Sequence, residues 1–167
     1  PAAGILKGIG SAFTNSSTIE MHPWMANQTL QIIMGFITMI GSVAFDNLPV
    51  IFAVGVVVGL AKQEKGSAAL SGLLGFLVLH NTLHYLLSVS GQLVDKAAKN
   101  GEELMSLHMQ TNVLGIQTMD LNVFGGIITG IVVYLVHKKA IKMQVPQVFG
   151  FFSGPRLVPI FTIPAMA

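Results

Sequence analysis

Asp46 carries the only charged side chain between residues 21 and 61 of this chain, with histidine taken as neutral. A helix crosses the roughly 30 Å apolar core of a bilayer with about 20 mostly apolar residues, because each residue adds about 1.5 Å along the axis. The segment is therefore long enough to cross a membrane and too long for one straight passage. Asp46, Asn47 and Pro49 stand in its middle and predict a break.

The rest of the chain is similarly poor in charge. Of its 167 residues, 52% are hydrophobic and 10% are charged, whereas soluble domains carry about 25% charged residues. So few polar groups could not cover a water-facing surface, and we predict an all-α, polytopic helical membrane protein. A single arginine argues against nucleic-acid binding, which needs clustered basic side chains. The lack of cysteine excludes disulfides, thiolate metal sites and cysteine catalysis within these residues.

Five segments are apolar enough to be transmembrane or broken helices: 1–13, 27–61, 66–91, 121–136 and 145–167. We expect about four or five such helices in a piece of a longer membrane protein, truncated at both ends, since both termini are apolar. Whether residues 27–61 form one broken passage or two separate spans stays open. Four prolines in the last segment predict an interfacial or broken segment rather than a regular helix.

Two connections are rich in lysine, and short cytoplasmic loops are enriched in lysine and arginine. The first contains Lys62 and Lys65, and the second contains three lysines between residues 138 and 142. Both are therefore assigned to the cytoplasm. Residues 92–120 mix both signs of charge and are expected to form an extramembrane loop on the opposite side.

The break at Asp46 has two interpretations. Asp46 or Asn47 can cap a new helix, and Pro49 suits a first turn because it has no N–H. This describes a capped turn at the membrane surface. Alternatively, the break lines a substrate or ion pathway, because broken helices at membrane depth are tolerated where they face protein or water.

Two further polar clusters interrupt the apolar pattern. His80 and His84 lie four residues apart on one helical face, with Asn81 beside His80. That spacing can ligate a metal, but no third ligand is near in sequence, and we predict neither a metal nor a cofactor. The histidines instead mark the wet end of a span or line a polar cavity. Gln117 and Asp120 precede a glycine-rich helix, and Asp120 or Asn122 is expected to cap it.

Small residues recur at four-residue spacing, which lets two helix backbones approach closely. These pairs are predicted to form contacts within the chain or between subunits. They are Gly4/Gly8, Gly55/Gly59, Ser71/Gly75 and Gly126/Gly130.

Four long blocks resemble one family in order and spacing. They read FDNLPVIFAVGVVVGLAK, GSAALSGLLGFLVLHNTL, GIQTMDLNVFGGIITGIVV and QVPQVFGFFSGPRLVPI. The chain is similar, over nearly its whole length, to the membrane-embedded C domain of enzyme II in the glucose superfamily of bacterial sugar phosphotransferase permeases. Residues 1–167 match the N-terminal scaffold or dimerisation half of that domain, and the family's later sugar-binding motifs have no counterpart here.

The resemblance implies a homodimeric, multi-pass permease of the bacterial cytoplasmic membrane. It binds a sugar of the glucose, N-acetylglucosamine or maltose type, and a phosphorylated B domain or subunit then phosphorylates the sugar. The phosphotransfer residues lie on domains outside this sequence. The sugar-binding residues expected here are Asp46, Asn47, His80, Asn81, Gln117 and Asp120, because carboxylate and amide groups direct hydrogen bonds to hydroxyls.

Two alternatives stand beside this function. The segment is a dimer scaffold whose polar breaks never touch substrate, or it belongs to an ion-coupled carrier in which Asp46 titrates.

Overall fold

The computed structural model describes residues 2–95, 100–143 and 153–167. Apart from one β-hairpin, the regular structure in these ranges is helical, which confirms the predicted fold class. The α-helices are α1 (Ala2–Thr14), α2 (Ser16–Met21), α3 (Gln28–Asp46), α4 (Leu48–Leu60), α5 (Lys65–Val89), α6 (Gly101–Leu107), α7 (Asn122–Ala140) and α8 (Leu157–Met166). The hairpin strands are β1 (Gln110–Val113) and β2 (Ile116–Met119). Short 3-10 turns lie at Pro23–Ala26 and Gly154–Arg156.

Three helices of the described chain are long and apolar enough to cross a membrane, namely α3, α5 and α7. Helix α4 is equally apolar but has only 13 residues. The predicted spans 66–91 and 121–136 correspond to α5 and α7. Residues 27–61 form two helices, α3 and α4.

The first compact unit extends to Leu48 and is built on the pairing of α1 with α3. A methyl group on Gly10 would collide with the backbone of Thr38, and one on Gly41 would collide with the backbone nitrogen of Lys7. These two glycines therefore hold the helices at backbone contact. Gly4 of the predicted pair meets only the ring of Phe45, at 3.6 Å.

Asn47 separates α3 from α4, at the break that the sequence predicts. Pro49 has no N–H and cannot donate to the carbonyl of Phe45 four residues earlier. The Asn47 backbone N–H donates to that carbonyl instead. The Asn47 side chain donates to the carbonyl of Val43 at 2.8 Å. Asn47 thus closes the end of α3 with these groups, while Pro49 lies in the first turn of α4 as expected.

The second compact unit, from Pro49 onwards, packs α4, α5, α7 and α8 around a shared core. Its apolar centre consists of Val57, Ala61, Ala68, Val133 and Met166.

Glycines bring the helices of the second unit into close contact. A methyl group on Gly126 would collide with the carbonyl oxygen of Pro49, and one on Gly130 would lie 2.6 Å from the Val56 side chain. The pair Gly126/Gly130 therefore packs α7 against α4 inside the chain. Gly55 and Gly59 have nothing within 4 Å in the described part of the chain.

The prolines near the C-terminus do not prevent a helix, so the expectation that this segment is not a regular helix is wrong for Leu157–Met166. Pro155 lies in the 3-10 turn, and Pro159 lies in the first turn of α8, where an N–H has no helical partner. Only Pro164 removes an interior hydrogen bond, near the end of the helix. Buried residues such as Val158 and Thr162 fix α8 in the core. Residues 145–152 of the prediction lie outside the described residues.

Within residues 92–120, expected to be an extramembrane loop, the chain forms α6 and the β-hairpin. Leu114 and Gly115 both have positive φ, at 50° and 86°, and they join paired residues Val113 and Ile116. This geometry is a two-residue type I′ turn, which matches the natural twist of paired strands. Asp120 follows β2, and its carboxylate accepts the N–H of Asn122 at 3.1 Å, at the start of α7.

Candidate functional site

Polar side chains gather where the C-terminal half of α5 packs against β2. His80 is 2% exposed, and its Nδ1 lies 3.2 Å from Oγ1 of Thr118. The ring of Phe76 packs edge-on against the imidazole, with 4.4 Å between centroids. Nε2 of His80 is buried and has no hydrogen-bond partner among the described residues. One nitrogen therefore anchors the hairpin, and the other has no hydrogen-bond partner in the part of the chain that the structure describes.

His80 lies well inside its helix. At about 1.5 Å per residue it is roughly 22 Å from Lys65 and 13 Å from Val89 along the axis of α5. The expectation that the histidines mark the wet end of a span does not describe His80, because this side chain is enclosed by protein. The short β-hairpin supplies the polar partner that a lipid-facing helix would lack.

His84 holds the hairpin one helical turn further along α5. Its Nδ1 lies 2.7 Å from the backbone carbonyl oxygen of Gln117. A carbonyl only accepts, so Nδ1 of His84 carries a proton and donates. His80 and His84 thus each use Nδ1 to bind the same strand.

Gln117 belongs to a buried amide network that joins the hairpin to the segment before it. Its Nε2 donates to Oε1 of Gln110 at 2.9 Å and to the carbonyl of Val94 at 2.7 Å. Nε2 of Gln110 donates to the carbonyl of Gln92 at 2.7 Å. Both amide protons of Gln117 are therefore engaged, and its role in the described structure is to position the strand beside His80.

Among the described residues, the side-chain hydrogen bonds of this network do not include the other expected site residues. Asn81 is exposed, and its side chain donates to the carbonyl of Leu77 in its own helix at 2.8 Å. Asp120 is exposed and holds the start of α7. Asp46 and Asn47 belong to the first compact unit. Of the six residues, His80 contacts the hairpin through Thr118, and Gln117 precedes Thr118 in the same strand.

Sequence reasoning did not select Thr118, Gln110 or His84 as site residues. The spacing of His84 places it on the face of His80, and the sequence predicts for it a place at the wet end of a span or beside a polar cavity, not a sugar contact. The signal for the other two was a hairpin pattern, QTNV and IQTM around Leu114-Gly115. No group of three or more potential metal-ligating side chains occurs among the described residues.

The arrangement can recognise a hydroxyl group. A neutral imidazole accepts a hydrogen bond at its unprotonated nitrogen or donates one at the other. With Nδ1 held by Thr118, Nε2 of His80 offers a directed contact in an apolar, water-poor setting. Such a contact suits a neutral polyhydroxyl ligand.

The family model described as "Phosphotransferase system, EIIC" matches residues 1–167.

Proposed function

Because the chain belongs to the phosphotransferase system EIIC family, the sugar-specific permease component of that system, we propose that it helps to bind and translocate a sugar of the glucose, N-acetylglucosamine or maltose type. Translocation is coupled to phosphorylation of the sugar by a B domain or subunit. The permease is a homodimer in the bacterial cytoplasmic membrane, and residues 1–167 form its N-terminal scaffold part.

One observation carries the assignment of a sugar contact to this part: the buried Nε2 of His80, which has no hydrogen-bond partner among the residues that the structure describes. A polar atom left without a partner in an apolar setting costs about 1–3 kcal/mol in proteins. Polar groups inside membrane helices are rare and tend to serve function. A sugar hydroxyl would satisfy Nε2 when the site is occupied.

The six expected residues take different roles in this proposal. His80 contacts sugar directly, and Gln117 positions the hairpin that orients the imidazole. Asn81 and Asp120, which are exposed, contribute polar groups along the pathway. Asp46 and Asn47 contribute polar groups to the pathway at the break after α3.

Two substitutions separate the roles of the two imidazole nitrogens. Asparagine in place of His80 retains a polar group near the position of Nδ1 and removes Nε2, whereas glutamine does the reverse. We expect His80→Asn to weaken sugar binding by about tenfold, the worth of one hydrogen bond to a neutral group, with a nearly unchanged melting temperature. His80→Gln should retain more affinity and melt earlier. Isothermal titration with each sugar and thermal melting of the full-length protein measure both effects.

His108→Asn is the matched control, since His108 is exposed and its Nδ1 binds the carbonyl of Leu104, in the helix that His108 directly follows. This variant should change neither the sugar affinity nor the melting temperature. If His80→Asn binds sugar as tightly as the unsubstituted protein, the segment is a scaffold that does not touch substrate. A scaffold role also predicts lost dimer assembly with normal affinity.

Uptake in vesicles tests the coupling. Phosphorylated sugar should accumulate only with phosphoenolpyruvate and the soluble carrier proteins, and ionophores should have no effect. Uptake of free sugar that ionophores abolish, and that Asp46→Asn removes, would establish the ion-coupled alternative instead.

A further inference from the structure

A cavity lies at the C-terminal end of α7, and His80 is not among its lining residues. It has a volume of about 310 Å³ and lies between the connection that follows α4 and the C-terminal end of α7. Its lining residues are Lys62, Gln63, Tyr134, His137, Lys138, Ile141 and Lys142. The volume is at the lower end of the range of small-molecule pockets.

The cavity is strongly basic. Three lysines line it, and no carboxylate does so among the residues that the structure describes. Glu64 follows the lining residue Gln63 in the chain but is exposed and outside the lining. The C-terminal end of α7 contributes about half a negative charge, which offsets only a small part of the three positive charges. The cavity therefore attracts anions.

His137 gives an independent indication of a ligand. Its side chain is 3% exposed, it lines the cavity, and its Nε2 has no hydrogen-bond partner among the described residues. Lysines at a helix C-terminus need no ligand to explain them, because they complement the helix dipole. A buried, unpaired imidazole nitrogen beside those lysines has no such explanation.

We propose that this cavity binds the phosphate group of an anionic ligand. Lysine ammonium groups bind phosphate as point charges, and the hydroxyl of Tyr134 together with Nε2 of His137 can add directed hydrogen bonds. This site is separate from the proposed sugar contact and does not depend on it.

An anionic phospholipid headgroup is the expected source of the phosphate. Helix α7 has 19 residues and spans about 28 Å, close to the thickness of the apolar layer. A cavity at its end therefore lies near the headgroup level. Basic pockets between membrane helices are known sites for anionic headgroups. A free phosphate monoester could supply the same chemistry from the aqueous side.

A double substitution tests the site. Lys138→Gln with Lys142→Gln removes two lining charges, and both lysines are exposed, so folding should be retained. Lys65→Gln with Lys139→Gln removes the same charge from two exposed lysines outside the lining. Native mass spectrometry of the full-length protein in detergent would measure binding of phosphatidylglycerol, with phosphatidylcholine as the zwitterionic reference. Inorganic phosphate would be titrated separately.

We expect phosphatidylglycerol binding to weaken about tenfold or more in the lining variant and less than about twofold in the control variant. If the protein binds inorganic phosphate but not phosphatidylglycerol, and this binding depends on the same two lining lysines, the phosphate site stands. Its ligand would then be a soluble phosphate monoester. Equal weakening in both double variants would overturn the proposal, because it would reflect diffuse surface charge. Equal binding of phosphatidylglycerol by the unsubstituted protein and the lining variant would also overturn the proposal.

Discussion

The two compact units of this chain are held together in different ways. In the first, α1 and α3 meet at backbone contact through Gly10 and Gly41. Large apolar side chains of α3, including Ile32 and Phe36, remain exposed within the described chain. In the second unit, several helices surround a common core, and polar side chains such as His80 and Thr118 are buried in it.

This difference shows which interactions determine the stability of each unit. Close backbone packing needs small residues at fixed positions and tolerates almost any apolar side chain elsewhere. A buried polar network needs particular donors and acceptors, and loss of one member leaves its partner unsatisfied. We therefore expect the first unit to be sensitive to side-chain size and the second to both size and hydrogen bonding.

The largest effect is expected for Gly126→Ala in the second unit. The added methyl group would collide with the carbonyl oxygen of Pro49, so the backbone of α4 or α7 must move. We expect a loss of about 3 kcal/mol or more, at the upper end for overpacking. Thermal melting of the full-length protein in detergent measures it.

Gly55→Ala is the matched control, because Gly55 lies in α4 with nothing within 4 Å in the described chain. Alanine is the better helix former, so this variant should melt at the same temperature or slightly higher. Equal melting of the two variants would show that α4 and α7 are not in close contact at Gly126.

An intermediate effect is expected for Gly41→Ala in the first unit, at about 1–3 kcal/mol. The methyl group would meet the backbone of Lys7 and separate α1 from α3. Hydrogen exchange should increase in residues 2–14 and remain unchanged in the hairpin. Gly35→Ala in the same helix has open space and should leave exchange unaltered. Faster exchange in both regions would contradict the division into two units.

A smaller effect is expected for Thr118→Val, which retains the size and strand preference of threonine. Nδ1 of His80 loses its partner, and we expect about 1–2 kcal/mol of destabilisation. Sugar affinity should also fall, because the imidazole is no longer oriented. Thr111→Val changes the residue paired with Thr118 across the hairpin and is the control. If both variants melt at the wild-type temperature and bind sugar with the wild-type affinity, sensitivity to hydrogen bonding does not distinguish the second unit from the first.

The lengths of the apolar segments allowed the helices to be predicted from the sequence, but the predicted ends of the helices differ from the observed ones. Residues 121–136 were expected to form a span, and α7 continues to Ala140. Hydropathy falls where His137 begins the basic run, but the backbone hydrogen bonds continue through it. The break between α3 and α4 was predictable because Pro49 lacks a donor, whatever surrounds it.

The polar network could be predicted only in part. His80 and Gln117 stood out as polar residues in apolar surroundings, but 36 residues separate His80 from Gln117, and no local pattern indicates that His80 meets the strand containing Gln117. That contact, made through Thr118, depends on the hairpin, whose turn has leucine and not the usual asparagine or aspartate before its glycine. The contact between Gly126 and Pro49 likewise required the tertiary structure.

That contact has a consequence for biosynthesis. Pro49 leaves the ribosome about 80 residues before Gly126, which at roughly 5–20 residues per second is a delay of about 4 to 15 seconds. During this time α4, with 13 residues, is too short to cross a bilayer by itself, and α5 is the first of its packing partners to follow it, through the contact of Gly72 with Ala53 and Val57. The contact between Pro49 and Gly126 can therefore form only as a later step, after α4 and α5 are both available to pack.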